Sequence, residues 1–155
     1  KNRILPDIIS AINNNKILKI RNPNSIRPWQ HVLEPLWGYM ILAQKQYQNR
    51  LNINNRSWNF GPDQNNVNTV QTTIELMANI WDDPVDWVAS TENHLHEANL
   101  LQLNNDKAHL LLGWRPAYDF DEVINKTINW YKTYYTDNQE MMEYKMLTKN
   151  FRLKN

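Results

Sequence analysis

Residues 112–131 of the chain read LGWRPAYDFDEVINKTINWY and contain two strong structural signals. Gly113 follows an apolar run, and a glycine at such a place commonly ends a helix in the left-handed conformation. Asn105 is a candidate cap at the start of that helix. Asp119 is a candidate cap for a second helix, whose apolar face has helical spacing at Val123, Ile124, Thr127, Tyr131 and Tyr134. The stretch therefore predicts two helices joined by a short connector.

Helical periodicity marks three further segments of the chain. They lie at residues 5–13, 35–47 and 70–81. Pro35 is tolerated in the first turn of its helix because the N–H that it lacks would have no partner there. Three tryptophans on apolar helical faces are predicted to lie in the core: Trp37, Trp81 and Trp130.

Short apolar runs between the helices predict strands. They are KILKI (16–20), SWNFGP (57–62) and VDWVAS (85–90). Gly61 and Pro62 should close the second run, which is typical of a buried strand that ends in a turn. Together these signals predict an α/β fold of mixed helices and short strands. At 155 residues the chain is long enough for one domain with a real core.

The charge of the chain is nearly balanced. Its 17 basic and 16 acidic residues give a formal net charge of +1, so it has no broad field to attract nucleic acid or an anionic membrane. It contains no cysteine, which excludes disulfides and thiolate metal sites. No signal peptide or long apolar run is found, so we expect a cytoplasmic protein. Any anion-binding site must therefore be local.

One segment has the composition of a local anion site. IRNPNSIRPWQHVLEPL, residues 20–36, places Arg21 and Arg27 around two prolines and ahead of an apolar helix. A guanidinium offers rigid paired donors that match a diphosphate, which lysine cannot reproduce. The alternative for each arginine is a surface position beside a carboxylate. Trp29 and His31 are predicted to hold the loop against the core rather than to touch a ligand.

Three segments together resemble the C-terminal half of extended short-chain dehydrogenase/reductases that act on nucleotide sugars. They are RPWQHV (27–32), WNFGP (58–62) and the stretch at 112–131. RNPNSIRPWQHVLEPLWGY (21–39) and HLHEANLLQL (94–103) are similar to the corresponding segments of CDP-glucose 4,6-dehydratases. The resemblance runs from about Arg3 to Tyr134. It implies the C-terminal substrate-binding lobe of an NAD(P)-binding, Rossmann-type enzyme.

The parts of such an enzyme that hold and use the cofactor are not found in the sequence. Gly38, Gly61 and Gly113 are isolated and cannot form a glycine-rich turn for a dinucleotide. No tyrosine has a lysine four positions on, so the proton-transfer pair Tyr-x-x-x-Lys is missing too. We expect residues 1–155 to be one substrate-binding C-terminal domain without the N-terminal dinucleotide-binding domain. The complete enzyme would use NAD, whereas this chain alone is expected to bind none and to be inactive.

The resemblance assigns substrate contacts to individual residues. It implies that Arg27 contacts the diphosphate of a nucleotide sugar and that Asn59 meets the sugar nucleotide, with Arg21 as a second candidate for the anion. Glu97 corresponds to an acidic residue that binds the ribose hydroxyls, and His94 to an arginine that faces phosphate in epimerases. The motif HLHEA could alternatively hold a divalent metal. No third histidine lies nearby in sequence, so nucleotide contact is favoured.

The implied activity is that of a CDP-glucose 4,6-dehydratase. In that family the complete enzyme uses bound NAD to take hydride from the fourth carbon of the sugar, eliminates water across the fifth and sixth carbons, and returns hydride to the sixth. The product supplies surface polysaccharide such as the lipopolysaccharide O-antigen. Two alternatives stay open: another nucleotide-sugar dehydratase or epimerase of the superfamily, and a non-catalytic binding or assembly module. The expected partners are a nucleotide sugar and further copies of the chain, without nucleic acid or membrane.

Overall fold

The computed structural model describes residues 3–48, 57–63, 68–90 and 98–136. The helices in these ranges are α1 (Ile4–Asn13), α2 (Leu33–Tyr47), α3 (Val70–Trp81), α4 (Asp106–Leu112) and α5 (Phe120–Thr136). The strands are β1 (Leu18–Ile20), β2 (Ile26–Arg27), β3 (Asn68–Thr69) and β4 (Trp87–Ala89). None of these helices is long and apolar enough to cross a membrane. This is the arrangement of mixed helices and short strands that the sequence predicts.

The strands form two small pairs. β1 and β4 are parallel, with Leu18 opposite Trp87. β2 and β3 are antiparallel, with Arg27 opposite Asn68. Parallel strands need a long crossover, and α2 and α3 lie between β1 and β4 in sequence. The parallel pair therefore brings the segment after α1 beside the segment after α3.

Three helices and strand β1 bury their apolar faces against one another, and their buried residues form the large cluster. Its completely inaccessible members are Ile8, Ile9, Met77, Ile124 and Ile128. Spacings of three and four residues place the apolar side chains of α3 and α5 on one face of each helix. Trp29, from the loop before α2, joins this cluster as predicted.

The small cluster lies between α2 and α4. Its buried residues are Phe60, Ala108, Leu112 and Trp114. The rings of Phe60 and Trp114 meet edge to face, with their centroids 5.0 Å apart. Gly38 of α2 lies directly against the Phe60 ring, where even a Cβ atom would collide. α2 can therefore approach residues 57–63 closely because position 38 has no side chain.

Both signals of the 112–131 stretch are confirmed. Gly113 has a φ of 71° and ends α4 in the left-handed conformation. Asp119 Oδ1 accepts a hydrogen bond from Glu122 N–H at 2.9 Å, and Glu122 Oε2 accepts one from Asp119 N–H at 3.1 Å. This reciprocal pair is a capping box, and it starts α5 where the sequence predicts.

The start of α4 directly after Asn105 is confirmed, but the side-chain cap predicted there is wrong. The Asn105 side chain makes no bond at the start of α4, and its Nδ2 instead donates to Gly61 O at 2.9 Å. The amide that begins the helix, Asp106 N–H, donates to Asn104 Oδ1 at 3.1 Å. Because Asn105 is buried, its bond ties α4 to residues 57–63 from within the protein.

The strand predicted at SWNFGP is also wrong for the described residues 57–63. Phe60 and the two residues after it are buried as expected, but no described segment pairs with them in a ladder. Side-chain bonds from Asn59 and Asn105 hold the segment instead. A strand needs a backbone partner, which apolar composition alone does not supply.

Two of the three tryptophans predicted to lie in the core do not. Trp37 and Trp130 are 56% and 51% exposed, while Trp81 is partly buried against the large cluster. Helical periodicity shows that residues share a face, but it does not show whether another element covers that face.

Candidate functional site

The loop from β1 to β2 borders a pocket of about 390 Å³, which we call the Arg27 pocket. Its charged lining residues are Lys19, Arg21, Arg27 and Asp7. Arg27 is half-buried and Arg21 is exposed. The pocket lining therefore has an excess of positive charge, although the chain as a whole is nearly neutral.

Hydrogen bonds on two sides fix the shape of this loop. Ser25 is buried, its Oγ donates to Asn22 O at 2.9 Å, and its carbonyl accepts from Val70 N–H at 3.0 Å. On the other side, Asn22 Nδ2 donates to Asn99 Oδ1 at 2.8 Å. The loop is thus held between the start of α3 and residues 98–101.

Backbone carbonyl groups orient the Arg27 side chain. Its Nη1 donates to Ile26 O and to Ala98 O, each at 2.9 Å. The backbone of Arg27 lies opposite Asn68 in the β2–β3 pair, and Trp29 Nε1 donates to Asn68 O at 3.0 Å. These contacts hold the guanidinium at the pocket wall, so that protein groups alone already orient it.

Asn59 lies on a neighbouring segment and does not line the pocket. Its exposed side chain donates from Nδ2 to Asn104 O at 3.2 Å. Pro62, three residues further on, lines a small hollow together with Arg27 and part of the 98–105 segment. Asn59 and Arg27 therefore both bond to the 98–105 segment, but at different residues, Asn104 and Ala98.

The structure brings two of the predicted substrate contacts together and leaves one apart. Arg21 and Arg27 line one pocket, while Asn59 bonds to the 98–105 segment outside that pocket. His94 and Glu97 lie outside the described residues, and so do the first four residues of the HLHEA motif, the alternative metal site. In the ranges that are described, no group of three or more His, Asp or Glu side chains could hold a metal ion.

Glu34 is a buried charge that our sequence analysis missed. It is 4% exposed and is the second residue of α2. Its Oε1 accepts from Ala117 N–H at 2.8 Å and Tyr118 N–H at 3.1 Å, and its Oε2 accepts from His31 N–H at 3.2 Å. Its carbonyl accepts from Trp114 Nε1 at 3.1 Å. The signal that could have revealed it is a lone carboxylate in the apolar run HVLEPLW, because a buried charge needs partners.

A curated enzyme matches the sequence over most of the chain. The chain is 42% identical over 134 residues, or 86% of its length, to the CDP-glucose 4,6-dehydratase of Salmonella typhimurium. The chain resembles CDP-glucose 4,6-dehydratase. The resemblance expected from the sequence motifs is therefore confirmed, but the chain spans only 37% of that enzyme's length. No protein-family model matches the chain.

Solved structures establish the fold that goes with this resemblance. An epimerase from Methanothermobacter thermautotrophicus matches with a TM-score of 0.73 and 20% identity, over 92% of this chain and 39% of that one. The UDP-glucuronic acid 4-epimerase of Bacillus cereus, in complex with UDP-glucuronic acid and NAD, matches with a TM-score of 0.73 and 14% identity, over 85% of this chain and 40% of that one. At these identities the likeness shows the fold alone. The α/β fold of mixed helices and short strands that the sequence predicts is therefore confirmed, and it is shared with part of these two epimerases.

The glycines of the described residues serve packing and helix termination. Gly38 lies against Phe60, Gly61 lies against Leu103, and Gly113 ends α4. A dinucleotide site of the Rossmann kind needs glycines grouped in one turn, so that the backbone can approach the pyrophosphate. The described residues therefore contain no glycine-rich turn of that kind.

Proposed function

We propose that the chain is the nucleotide-sugar-binding part of a CDP-glucose 4,6-dehydratase. The observation that carries this proposal is the 42% identity over 134 residues to that enzyme from Salmonella typhimurium. Because the chain spans 37% of this relative, we assign the reaction to the complete protein. Residues 1–155 are the proposed substrate-binding domain, and the dinucleotide-binding part with its NAD belongs to the remainder of the enzyme.

The Arg27 pocket is the proposed site of the substrate diphosphate. Among its lining residues, the cations of Lys19, Arg21 and Arg27 outnumber the carboxylate of Asp7. A guanidinium matches two phosphate oxygens with paired, charge-assisted donors. The Ile26 and Ala98 carbonyls already order Arg27, so less side-chain entropy is lost when an anion binds. Arg21 is the second cation, at the exposed rim.

Three further residues are proposed to contact the rest of the substrate. Asn59 would meet the sugar nucleotide through an amide that both donates and accepts hydrogen bonds. Glu97 would accept from the two ribose hydroxyls, and His94 would face phosphate. The carbonyl of Ala98, which follows Glu97 in sequence, accepts the hydrogen bond from Arg27. This contact supports the assignment of Arg27 and Glu97 to one site.

The complete enzyme is proposed to act in the cytoplasm on CDP-glucose and to release a 4-keto-6-deoxy sugar nucleotide for O-antigen synthesis. NAD would accept the hydride of the sugar and later return it. The catalytic acids and bases are assigned to the remainder of the enzyme, because the Tyr-x-x-x-Lys pair that supplies them in enzymes of this kind is not found in the given sequence.

The outer face of α2 is proposed to be covered in the complete protein. Its large apolar side chains are exposed at Leu33, Leu36, Trp37, Tyr39 and Met40. Contiguous exposed apolar surface commonly marks an interface. We propose that the dinucleotide-binding part packs on this face, and that the isolated chain covers it by forming a homo-oligomer.

The second candidate function is another nucleotide-sugar dehydratase or an epimerase of the same fold. The observation that favours it is the TM-score of 0.73 to two epimerases. The length of the sequence match separates the candidates, because the identity of 42% to the dehydratase extends over 134 residues, whereas an identity of 40% to the UDP-glucose 4-epimerase of Rhizobium leguminosarum extends over only 48. A non-catalytic binding or assembly module is the third candidate.

The test supplies the part of the enzyme that the chain does not span. The purified chain is incubated with CDP-glucose and NAD, alone and with the remaining part of the Salmonella dehydratase. We expect no 4-keto product from the chain alone and measurable product from the mixture. UDP-glucose and dTDP-glucose are the matched substrates, and each should react more slowly.

Three outcomes would contradict the proposal in different ways. Product from the chain alone would place catalysis in this chain. A preference for UDP-glucose, or interconversion of sugars without loss of water, would favour the second candidate. An assembled but inactive mixture that binds CDP-glucose would favour the binding module.

A further inference from the structure

Glu34 connects two segments that are far apart in sequence. Its Oε2 accepts from His31 N–H, in the loop that follows Arg27. Its Oε1 accepts from the N–H groups of Ala117 and Tyr118, in the connector that precedes α5. One side chain therefore joins the loop that follows Arg27 to the connector that precedes α5.

The burial of Glu34 makes these bonds hard to replace. The residue is 4% exposed, so little water can reach the carboxylate if a donor is lost. Hydrogen bonds to an ionised carboxylate are stronger than neutral ones, and a buried partner left without its bond is costly. The start of α2 adds a favourable helix dipole for the negative charge.

The backbone between Arg27 and Glu34 is short and is held at intermediate points. Trp29 N–H donates to Arg27 O at 3.0 Å, and the Trp29 ring is buried in the large cluster. Two residues later, His31 N–H donates to Glu34. The path from the guanidinium-bearing residue to α2 is therefore fixed at Trp29 by packing and at His31 by the Glu34 carboxylate.

We propose that Glu34 is a positioning residue for the Arg27 pocket. Its carboxylate holds the loop so that the Arg27 guanidinium stays at the pocket wall, and it couples that loop to the start of α5. Glu34 lines no part of the pocket and acts through Arg27. The inference rests on the proposed function for the identity of the ligand, a nucleoside diphosphate, while the geometry stands on the contacts alone.

Glu34→Gln is the most direct test, because it keeps the shape of the side chain. A glutamine has one acceptor oxygen, and its NH₂ group cannot accept a bond. It can serve His31 N–H or the Ala117 and Tyr118 pair, but not both sides. The first readout is the dissociation constant for CDP, measured by titration calorimetry on the full chain. We expect binding to weaken roughly three- to tenfold, as the loss of about one hydrogen bond implies.

Trp114→Phe is the matched control. It removes the bond from Trp114 Nε1 to Glu34 O but leaves the carboxylate and its three backbone donors in place. Both variants should lower the melting temperature, whereas only Glu34→Gln should weaken CDP binding. If the two variants weaken CDP binding equally, Glu34 serves only to stabilise the fold and the inference is overturned.

A second readout separates this inference from the proposed function. The NMR signal of the Arg27 Nε–H group, in the absence of ligand, should shift or broaden in Glu34→Gln and remain unchanged in Trp114→Phe. If the unaltered chain does not bind CDP, the proposed site is contradicted, and the Arg27 signal alone then decides the role of Glu34. An unchanged signal overturns the inference.

Glu34→Asp covers the case in which the glutamine variant fails to fold. It keeps the negative charge at the start of α2 but is one methylene too short to reach both segments. The same shift of the Arg27 signal is expected. A variant that folds with the parent's Arg27 signal and the parent's affinity for CDP contradicts the proposal.

Discussion

The large cluster and the small cluster are held together by different means. The large cluster closes three helices over side chains such as Ile124 and Met77, which are completely inaccessible. The small cluster has four buried residues and is supported by polar bonds around it, such as Trp114 Nε1 to Glu34 O. On its outer side, α2 leaves Trp37 56% exposed.

The two clusters differ in how many apolar side chains they bury. Burial of apolar surface is the main stabilising contribution in folding, and within the described residues the large cluster has 14 buried residues where the small cluster has four. The Arg27 pocket is lined by Ile20, Trp29 and Val70, which are members of this cluster. The Arg27 pocket therefore rests on the large cluster, which we call the closed side, and the outer face of α2, the open side, is the surface that we propose is covered in the complete protein.

The largest expected effect is on the free energy of unfolding, when one buried side chain in each cluster is truncated to alanine. Ile124→Ala should lower the free energy of unfolding by about 3–5 kcal/mol, because its cavity lies among inaccessible neighbours. Leu112→Ala should cost less, about 2–3 kcal/mol, because the small cluster can relax towards its open side. Urea denaturation measures both values. Leu110→Ala, at an 83% exposed position, is the control and should change stability by less than about 0.5 kcal/mol. If Ile124→Ala and Leu112→Ala lower the free energy of unfolding equally, the two clusters do not differ in how far they relax around a cavity.

The next effect concerns ligand binding on the closed side. Arg27→Ala should weaken CDP-glucose binding about tenfold to a hundredfold, since a hydrogen bond to a charged group contributes about 1.5–3 kcal/mol. Arg27→Lys should lie between the parent and the alanine variant, because it keeps the charge but loses the paired donors. Titration calorimetry measures both. Arg115→Ala removes an exposed arginine outside the pocket and should bind like the parent. Parent-like binding by Arg27→Ala would mean that Arg27 only holds the loop.

Substitutions on the open side are expected to change self-association of the chain clearly and to change stability only slightly. Replacing Trp37 and Met40 together by glutamine should reduce self-association of the isolated chain, which light scattering detects. Unfolding should change by less than about 0.5 kcal/mol per site, because both side chains are more than half exposed. A parent chain that is already monomeric at high concentration, without binding an apolar dye, would contradict the idea of an open side.

The smallest effect is a pH dependence that belongs to the large cluster. Burial raises the pKa of Tyr131 above its ordinary value of 10.0, and the nearby Tyr135 raises it further. The unfolded chain therefore ionises first, so the stabilisation is present below pH 10 and is lost as pH rises through the folded-state pKa. Tyr131→Phe should make unfolding less sensitive to alkaline pH than in the parent. Tyr47→Phe, at a 90% exposed position, should keep the parent's profile. If the parent and Tyr131→Phe show the same dependence of stability on pH, Tyr131 does not contribute to the alkaline loss of stability.

Local signals in the sequence were enough to predict the end of α4 and the start of α5. Gly113 and Asp119 act through their own backbone neighbourhoods, so the end of α4 and the start of α5 could be predicted from short stretches. Arg21 and Arg27 could be paired for a similar reason, because one short loop carries both to the same pocket.

Features that depend on distant partners could not be predicted in the same way. The run at 57–62 has strand composition, but no described segment pairs with it. Trp37 lies on an apolar face that nothing in the described ranges covers. The role of Glu34 depends on its hydrogen bonds to Ala117 and Tyr118, which are distant from it in sequence and close only in the fold. Periodicity and composition do not contain these long-range contacts.

The parallel pair of β1 and β4 has a consequence for the order in which the chain folds. Each strand has three residues, and the pair joins Leu18 to Trp87 across two intervening helices. Closing so long a loop has an entropic cost, and pairing at only three ladder positions offsets little of it. The docking of α3 on α5 instead buries many apolar side chains at once. Folding should therefore begin with the docking of these helices, and the strands should pair last. In pulse-labelled hydrogen exchange, the amides of β1 and β4 should gain protection after those of α3 and α5.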